Sequence, residues 1–168
     1  NIHYTTDGSI PTLESPKYDG NLVLTETTDL TLRVVRPTGK RSDIVKTHFE
    51  KTEYSPATTA APSNPGLKAT WYDFKGKTCA EIAAAPVKNT YRVEDVTIPR
   101  GVKSYIIGLT YKGYINIPED GIYSFYLSSD DGSMLYIDGK QVIDNDGLHA
   151  PGEVTGQAAL KQGYHPIE

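Results

Sequence analysis

Cysteine and long apolar runs are what this sequence lacks most. Of its 168 residues only Cys79 carries a thiol, so no disulfide can form within the chain, and the redox compartment stays open. No apolar stretch approaches the roughly 20 residues that span a bilayer. No basic block occurs, and the net charge is −4. These absences argue against a membrane span and against nucleic acid as a partner.

Motifs of familiar catalytic sites are also missing. The sequence has no Gly-x-Ser-x-Gly, no paired Cys and His ligands and no phosphate-binding glycine loop. A glycosidase needs two carboxyl groups across the scissile bond, one of them with a raised pKa. The acidic pairs Glu94-Asp95 and Glu119-Asp120 lie instead at predicted turns, where they would be solvated. We therefore predict that this stretch of chain is not itself catalytic.

Tyrosine, glycine and proline are plentiful. The 12 Tyr outnumber 3 Phe and 1 Trp, and 15 Gly and 11 Pro provide many turns. This composition is typical of a turn-rich globular protein. Tyrosine suits strands with one apolar face and one wet edge, and it also suits sugar-binding surfaces. For most of these tyrosines we expect packing within a sheet.

Residues 1–54 have an all-β pattern of short alternating runs separated by turn residues. Leu30, Leu32 and Val34 alternate on one face. Four strands in so short a stretch would form a small sheet with little core, which predicts an incomplete sandwich or a surface for a partner. The predicted strands are Ile2–Thr5, Leu22–Thr25, Leu30–Arg36 and Ile44–Phe49.

The string IHYTTDGSIPT at residues 2–12, with Ser15, Tyr18 and the later LTLRV at 30–34, resembles the C-terminal domain of chitobiase and β-hexosaminidase. The resemblance covers about 50 residues. It implies an immunoglobulin-like sandwich that follows a catalytic barrel and has no catalytic role. We interpret Asp7 and Thr12 within the string as turn residues that bond nearby backbone groups.

Residues 55–66, SPATTAAPSNPG, have the composition of a linker. They carry no charge and include three prolines, which predicts a semi-rigid spacer and a domain boundary. The second predicted domain, 67–168, has one helical stretch, Cys79–Ala85, and otherwise short strands typical of a β-sandwich or barrel. The predicted strands are Leu67–Phe74, Ser104–Leu109, Tyr111–Ile117, Ile122–Leu127, Ser133–Ile137 and Gln141–Ile143, with the start of another at 163–168.

The most informative stretch is 128–149, SSDDGSMLYIDGKQVIDNDGLH. Asp138-Gly139 between two apolar runs predicts a hairpin with a primed two-residue turn. Its opposite strand ends carry Asp130-Asp131 and the loop 144–147. If those ends meet, they form an all-oxygen site suited to a hard cation such as calcium.

Several motifs in this part of the chain are similar to those of the PA-fourteen domain, first described in anthrax protective antigen. They are GYIxIP at 113–118, GxYxF at 121–125, SDDGSxLxIDG at 129–139 and DNDGxH at 144–149. The resemblance implies a two-sheet β-sandwich running from about residue 66, here without its last strand. In the adhesin branch of that family, two adjacent aspartates joined by a cis peptide bond hold a calcium ion that binds sugar. Asp130 and Asp131 occupy those positions.

Two interpretations of the acidic loops remain open. In the first, Asp130, Asp131 and Asn145 hold calcium, sugar hydroxyls replace its waters, and His149 lines the edge of the ligand site. In the second, these are ordinary turn residues, because Asp and Asn readily bond their own backbone. The loop 144–147 lacks the full calcium-loop pattern. Asp138 we assign to the hairpin turn.

The sequence thus predicts an all-β chain of two β-sandwich domains. The resemblances imply the accessory region of a β-N-acetylhexosaminidase that acts outside the cytoplasm, in the periplasm, at the cell surface or secreted. Its expected partners are a glycan and the parent catalytic domain. Two alternatives remain: a structural domain that packs on the catalytic domain and binds nothing, and a free-standing adhesin module. We treat the chain as a piece whose targeting segment lies elsewhere.

Overall fold

The structure is a computed structural model that describes residues 1–101 and 107–168. The chain divides into two compact units, Asn1–Glu53 and Tyr54–Glu168. Both are built from antiparallel strands, with a single short helix among the described residues, so the prediction of an all-β chain is confirmed. No helix in the described ranges is long and apolar enough to cross a membrane.

The first unit is a three-stranded antiparallel sheet in the order β1-β2-β3. Its strands are β1 (Ile2–Thr5), β2 (Thr28–Val34) and β3 (Val45–Phe49). Leu30 and Val35 are buried, and the His3 ring is buried too, with its Nδ1 2.8 Å from the carbonyl oxygen of Ser15. Three of the four predicted strands are therefore confirmed to within two residues.

The predicted strand at Leu22–Thr25 is wrong. This stretch has no regular structure, and Val23 is 76% exposed. The outer edge of β1 is already used, because the Tyr4 N–H donates to the Pro16 carbonyl and the Tyr18 N–H donates to the Ile2 carbonyl. Residues 22–25 therefore cannot extend the sheet at the β1 edge.

The second unit is a sandwich of a six-stranded and a two-stranded sheet, in the orders β5-β4-β6-β11-β8-β9 and β10-β7. Ile117, Ile137 and Leu160 form its buried core, and Tyr123 and Phe125 pack against them. Its strands are β4 (Leu67–Tyr72), β5 (Val87–Val93), β6 (Gly108–Ile117), β7 (Gly121–Ser129), β8 (Ser133–Ile137), β9 (Lys140–Asn145), β10 (Gly152–Leu160) and β11 (Gly163–Ile167).

Three features of this unit differ from the sequence prediction. Strands β5 and β10 were not predicted, and the helix is a 3₁₀ helix at Cys79–Ala84 with no buried residue. The first half of the predicted strand Ser104–Leu109 lies outside the described residues, and β6 begins at Gly108. The strand predicted to start at 163–168 is confirmed as β11, which pairs with both β6 and β8 inside the larger sheet.

Residues 55–66, predicted as a linker, are held against the second unit at both ends. The Ser55 N–H donates to the Ala159 carbonyl, and the Thr58 N–H donates to the Tyr164 carbonyl, each at 2.8 Å. At the other end, the Arg92 guanidinium donates to the carbonyl oxygens of residues 64–66. These contacts make the stretch part of the sandwich surface.

The hairpin of β8 and β9 has the predicted turn: Asp138 and Gly139 have φ angles of 53° and 72°, as a primed turn requires. The Asp138 carboxylate has a further partner. It accepts a hydrogen bond at 2.8 Å from Nδ1 of His165, which is fully buried on β11, and Nε2 of His165 lies 2.8 Å from the Lys161 carbonyl. The turn aspartate therefore also fastens the hairpin to the strand beside it.

At Gly156 on β10 the two sheets approach each other closely. An added Cβ would collide with the Val142 carbonyl oxygen and lie 2.8 Å from Cγ1 of Ile143, both on β9. We expect Gly156→Ala to lower the free energy of unfolding by about 1–3 kcal/mol, because the backbone must move to admit the methyl group. Urea denaturation would measure this.

Gly152 is a matched control on the same strand. Its added Cβ would meet its nearest neighbour, the Ala150 carbonyl oxygen, at an ordinary 3.5 Å. Gly152→Ala should leave stability within about 0.5 kcal/mol, the usual range for substitutions away from such features. Equal losses for the two variants would contradict a close approach specific to Gly156.

Candidate functional site

The candidate site lies at the end of the β8–β9 hairpin opposite its turn. Ser133 pairs with Asn145, so the Asp130-Asp131 turn and the loop that follows β9 emerge side by side. The peptide bond between Asp130 and Asp131 is cis, as the resemblance implies. Both residues are exposed. The two loops expected to converge are therefore adjacent.

Two contacts join the loops directly. The His149 N–H donates to Oδ1 of Asp131 at 3.1 Å. Gly132 lies against the other loop so closely that an added Cβ would be 2.7 Å from the Gly147 nitrogen and 2.8 Å from Oδ1 of Asp146. Only a residue without a side chain allows this approach, so the sequence at Gly132 fixes the spacing of the loops.

Asn145 braces the base of the site. Its side-chain amide nitrogen donates to Oγ of Ser129 at 3.1 Å and to the Gly152 carbonyl at 3.4 Å. Oγ of Ser129 in turn lies 2.6 Å from Oγ of Ser133. Both amide hydrogens are thus used for structure, which leaves Oδ1 as the atom that could serve a ligand.

The His149 ring is directed into its own loop. Its Nδ1 lies 2.8 Å from the Ala150 carbonyl and its Nε2 lies 3.0 Å from the Asn145 carbonyl, so both bonds form only when the ring is protonated. These bonds, with the nearby charges of Asp131 and Asp130, raise the pKa of His149 above its ordinary value against the opposing effect of desolvation. The two ring contacts indicate that His149 stabilises the conformation of its own loop.

Asp146 has a partner that the sequence did not reveal. Its Oδ1 accepts hydrogen bonds from the backbone N–H groups of Cys79 and Gly147, each at 2.8 Å, and so holds the start of the 3₁₀ helix. Burial opposes ionisation, but the hydrogen bonds keep the pKa of Asp146 below its usual range. Burial and the bond to Asp146 raise the pKa of the Cys79 thiol to about 12. The cysteine is therefore unreactive.

The donor set can be compared with what calcium prefers, roughly six to eight oxygen ligands. Among the described residues, no group of three or more His, Cys, Asp or Glu side chains is placed to hold a metal ion. A site here would use only the carboxylates of Asp130 and Asp131, with Oδ1 of Asn145, main-chain carbonyls and water supplying the rest. All of these donors are oxygen, so the set fits a hard cation.

The fold and the loops define an all-β sandwich domain with an acidic turn at one end, and the family follows from comparison. Residues 63–168 match the PA14 domain family, so the chain belongs to that family. Residues 1–49 match the family described as Fn3 associated. These two ranges correspond to the two resemblances in the sequence.

A β-hexosaminidase of Porphyromonas gingivalis is 29% identical over 98% of this chain. The chain spans 22% of the length of that protein. Two solved structures share the fold. An anti-sigma factor domain-containing protein superposes with a TM-score of 0.53 at 18% identity, and one from Clostridium clariflavum superposes with a TM-score of 0.50 at 21% identity. Each covers 83% of this chain, which spans 48% and 49% of theirs.

Proposed function

We propose that the chain is a non-catalytic accessory region of a glycoside hydrolase, and that its second unit binds carbohydrate containing N-acetylhexosamine. The relative named β-hexosaminidase supports the parent activity and the class of sugar. The same relative supports a position outside the cytoplasm, where such glycans are exposed. The glycan and the parent catalytic domain are then the two partners.

The observation that carries this proposal is the contact between the two oxygen-rich loops. Asp131 accepts the His149 N–H, and Gly132 packs on residues 146–147, so the turn that carries the exposed Asp130 and Asp131 lies against the neighbouring loop. When bound, calcium would offer open coordination positions to vicinal sugar hydroxyls. The two carboxylates would hold the ion, and Asn145 would add Oδ1.

A second candidate function is favoured by one observation. Asp144 and Asp146 both accept hydrogen bonds from backbone N–H groups, as ordinary turn residues do. In that case the unit would be a structural domain that packs on the catalytic domain and shapes the entrance to its cleft.

Calorimetric titration of calcium into chelator-treated protein separates the two. We expect saturable binding, a rise in thermal stability with calcium, and loss of both in Asp131→Asn. Asparagine keeps an acceptor for the His149 N–H and removes only the charge, so the loop is disturbed little. Asp95→Asn, in an exposed loop, is the matched control and should bind as the unchanged protein does.

The opposite result is equally clear. Heats at the level of buffer, together with a thermal midpoint that calcium does not move, would exclude the ion site. The acidic loops would then be turns, and the structural function would stand.

A further inference from the structure

The outer face of the β7–β10 sheet carries an aromatic side chain that does not pack against the core. Tyr123 and Phe125 of β7 pack on the core, whereas Tyr126 points the other way and is 67% exposed. This is the largest exposed fraction of any tyrosine or phenylalanine in the described ranges. Packing within the sandwich therefore does not account for a tyrosine at this position.

The surroundings of Tyr126 are mainly polar, with one charged residue, the exposed Glu153 opposite Ser128, and one apolar residue, the exposed Ile122 near the start of β7. Thr155 lies directly opposite on β10. One pair further along, the Gln157 amide donates to Oγ of Ser124 at 3.3 Å. An aromatic ring among hydroxyl and amide groups matches a sugar, which has an apolar C–H face and polar edges. A protein partner would favour a larger continuous apolar patch than this face provides.

This face is continuous with the candidate site. Tyr126 and Ser128 are exposed on alternate positions of β7, and Asp130 continues the alternation where the strand ends. Four residues of extended chain place Tyr126 about 13 Å from Asp130. A ligand longer than one sugar, held at Asp130 and Asp131, would therefore extend along the strand to the ring.

We propose that Tyr126 is a stacking subsite that selects oligosaccharides over single sugars, with Ser124, Thr155 and Gln157 beside it to bond hydroxyl groups. The proposal rests on carbohydrate binding at the Asp130 and Asp131 loop. The outer face of the β7–β10 sheet then distinguishes ligands by their length.

The experiment compares N-acetylglucosamine with its β-linked tetramer, titrated in calcium into the full chain. The unchanged protein should bind the tetramer more tightly than the monosaccharide. Tyr126→Ala should lower tetramer affinity by about three- to tenfold, the size of an aromatic contact, and leave the monosaccharide unaffected. Tyr126→Phe, which keeps the ring, should retain most of the preference.

Tyr114→Ala is the matched control, since Tyr114 is 46% exposed on β6 in the other sheet. A tetramer preference that survives Tyr126→Ala would overturn the subsite. So would a dimer in solution that Tyr126→Ala dissociates, because a second copy would then cover the face.

If the second unit does not bind carbohydrate at the Asp130 and Asp131 loop, the titrations give a different set of results. Tetramer binding could be lost in Tyr126→Ala and yet be unchanged in Asp131→Asn. That result would support the aromatic contact with the sugar and exclude the calcium site. No binding of either sugar by the unchanged protein would overturn both.

Discussion

Asp138→Ala is expected to lower the free energy of unfolding of the second unit by about 3 kcal/mol. The carboxylate is the partner of His165, a fully buried ring whose other nitrogen already bonds the Lys161 carbonyl. Losing a hydrogen bond to a carboxylate costs about 1.5–3 kcal/mol. Alanine at a φ of 53° adds about 1 kcal/mol or more of backbone strain.

Urea denaturation followed by Trp71 fluorescence would measure the loss. Trp71 is the only tryptophan in the chain and lies on β4, so its signal reports on the second unit. Asp138→Asn is the control: asparagine tolerates the turn conformation and keeps an acceptor, so it should cost clearly less than alanine. If both variants stayed within about 0.5 kcal/mol of the unchanged protein, the bond to His165 would carry no stability.

Gly132→Ala should lower the affinity of the proposed calcium site by at least about tenfold. Its Cβ would lie 2.7 Å and 2.9 Å from the nitrogen and oxygen of Gly147, which are backbone atoms that cannot turn aside. The loops must separate to admit it, at a cost of about 1–3 kcal/mol in packing. Separation would move the loop carbonyls away from the Asp130 and Asp131 carboxylates.

Calcium titration measures the effect, and Gly121→Ala is its control. Gly121 begins β7, the strand that leads into the turn containing Gly132, and its added Cβ would meet only the Tyr123 side chain, at 3.4 Å. We expect calcium affinity in Gly121→Ala to stay within about twofold of the unchanged protein, since a surface change of about 0.5 kcal/mol is no larger than that. Calcium affinity retained in Gly132→Ala would show that the loops need not touch for the ion to bind.

The sequence predicted those elements whose signals are local. Asp138-Gly139 between apolar runs gave the β8–β9 hairpin, because the positive φ angles depend on these two residues alone. Strand β10 was missed because its inward face includes Gly152, Gly156 and Ala158, which carry little hydrophobic signal. The reason for Gly156 is the nearness of β9, a long-range fact that no window of sequence contains.

The same distinction applies to the site. The acidic composition of 128–149 and the hairpin predicted that the two loops would meet. Nothing local to Asp146 indicated that it would bond the N–H of Cys79, which lies 67 positions away. Nor did the sequence show that the His149 ring would bond two carbonyls of its own loop. Composition thus indicated a candidate site, and tertiary contacts determined the hydrogen-bond partners of each side chain in it.

The anchoring of residues 55–66 has a practical consequence for anyone who wants to study the second unit alone. The family match begins at residue 63, but the compact unit begins at Tyr54. A fragment cut at residue 63 would leave the Ala159 and Tyr164 carbonyls without the donors that Ser55 and Thr58 provide. The start of the family match and the start of the compact unit differ here by nine residues, and an expression fragment should begin at or before Tyr54.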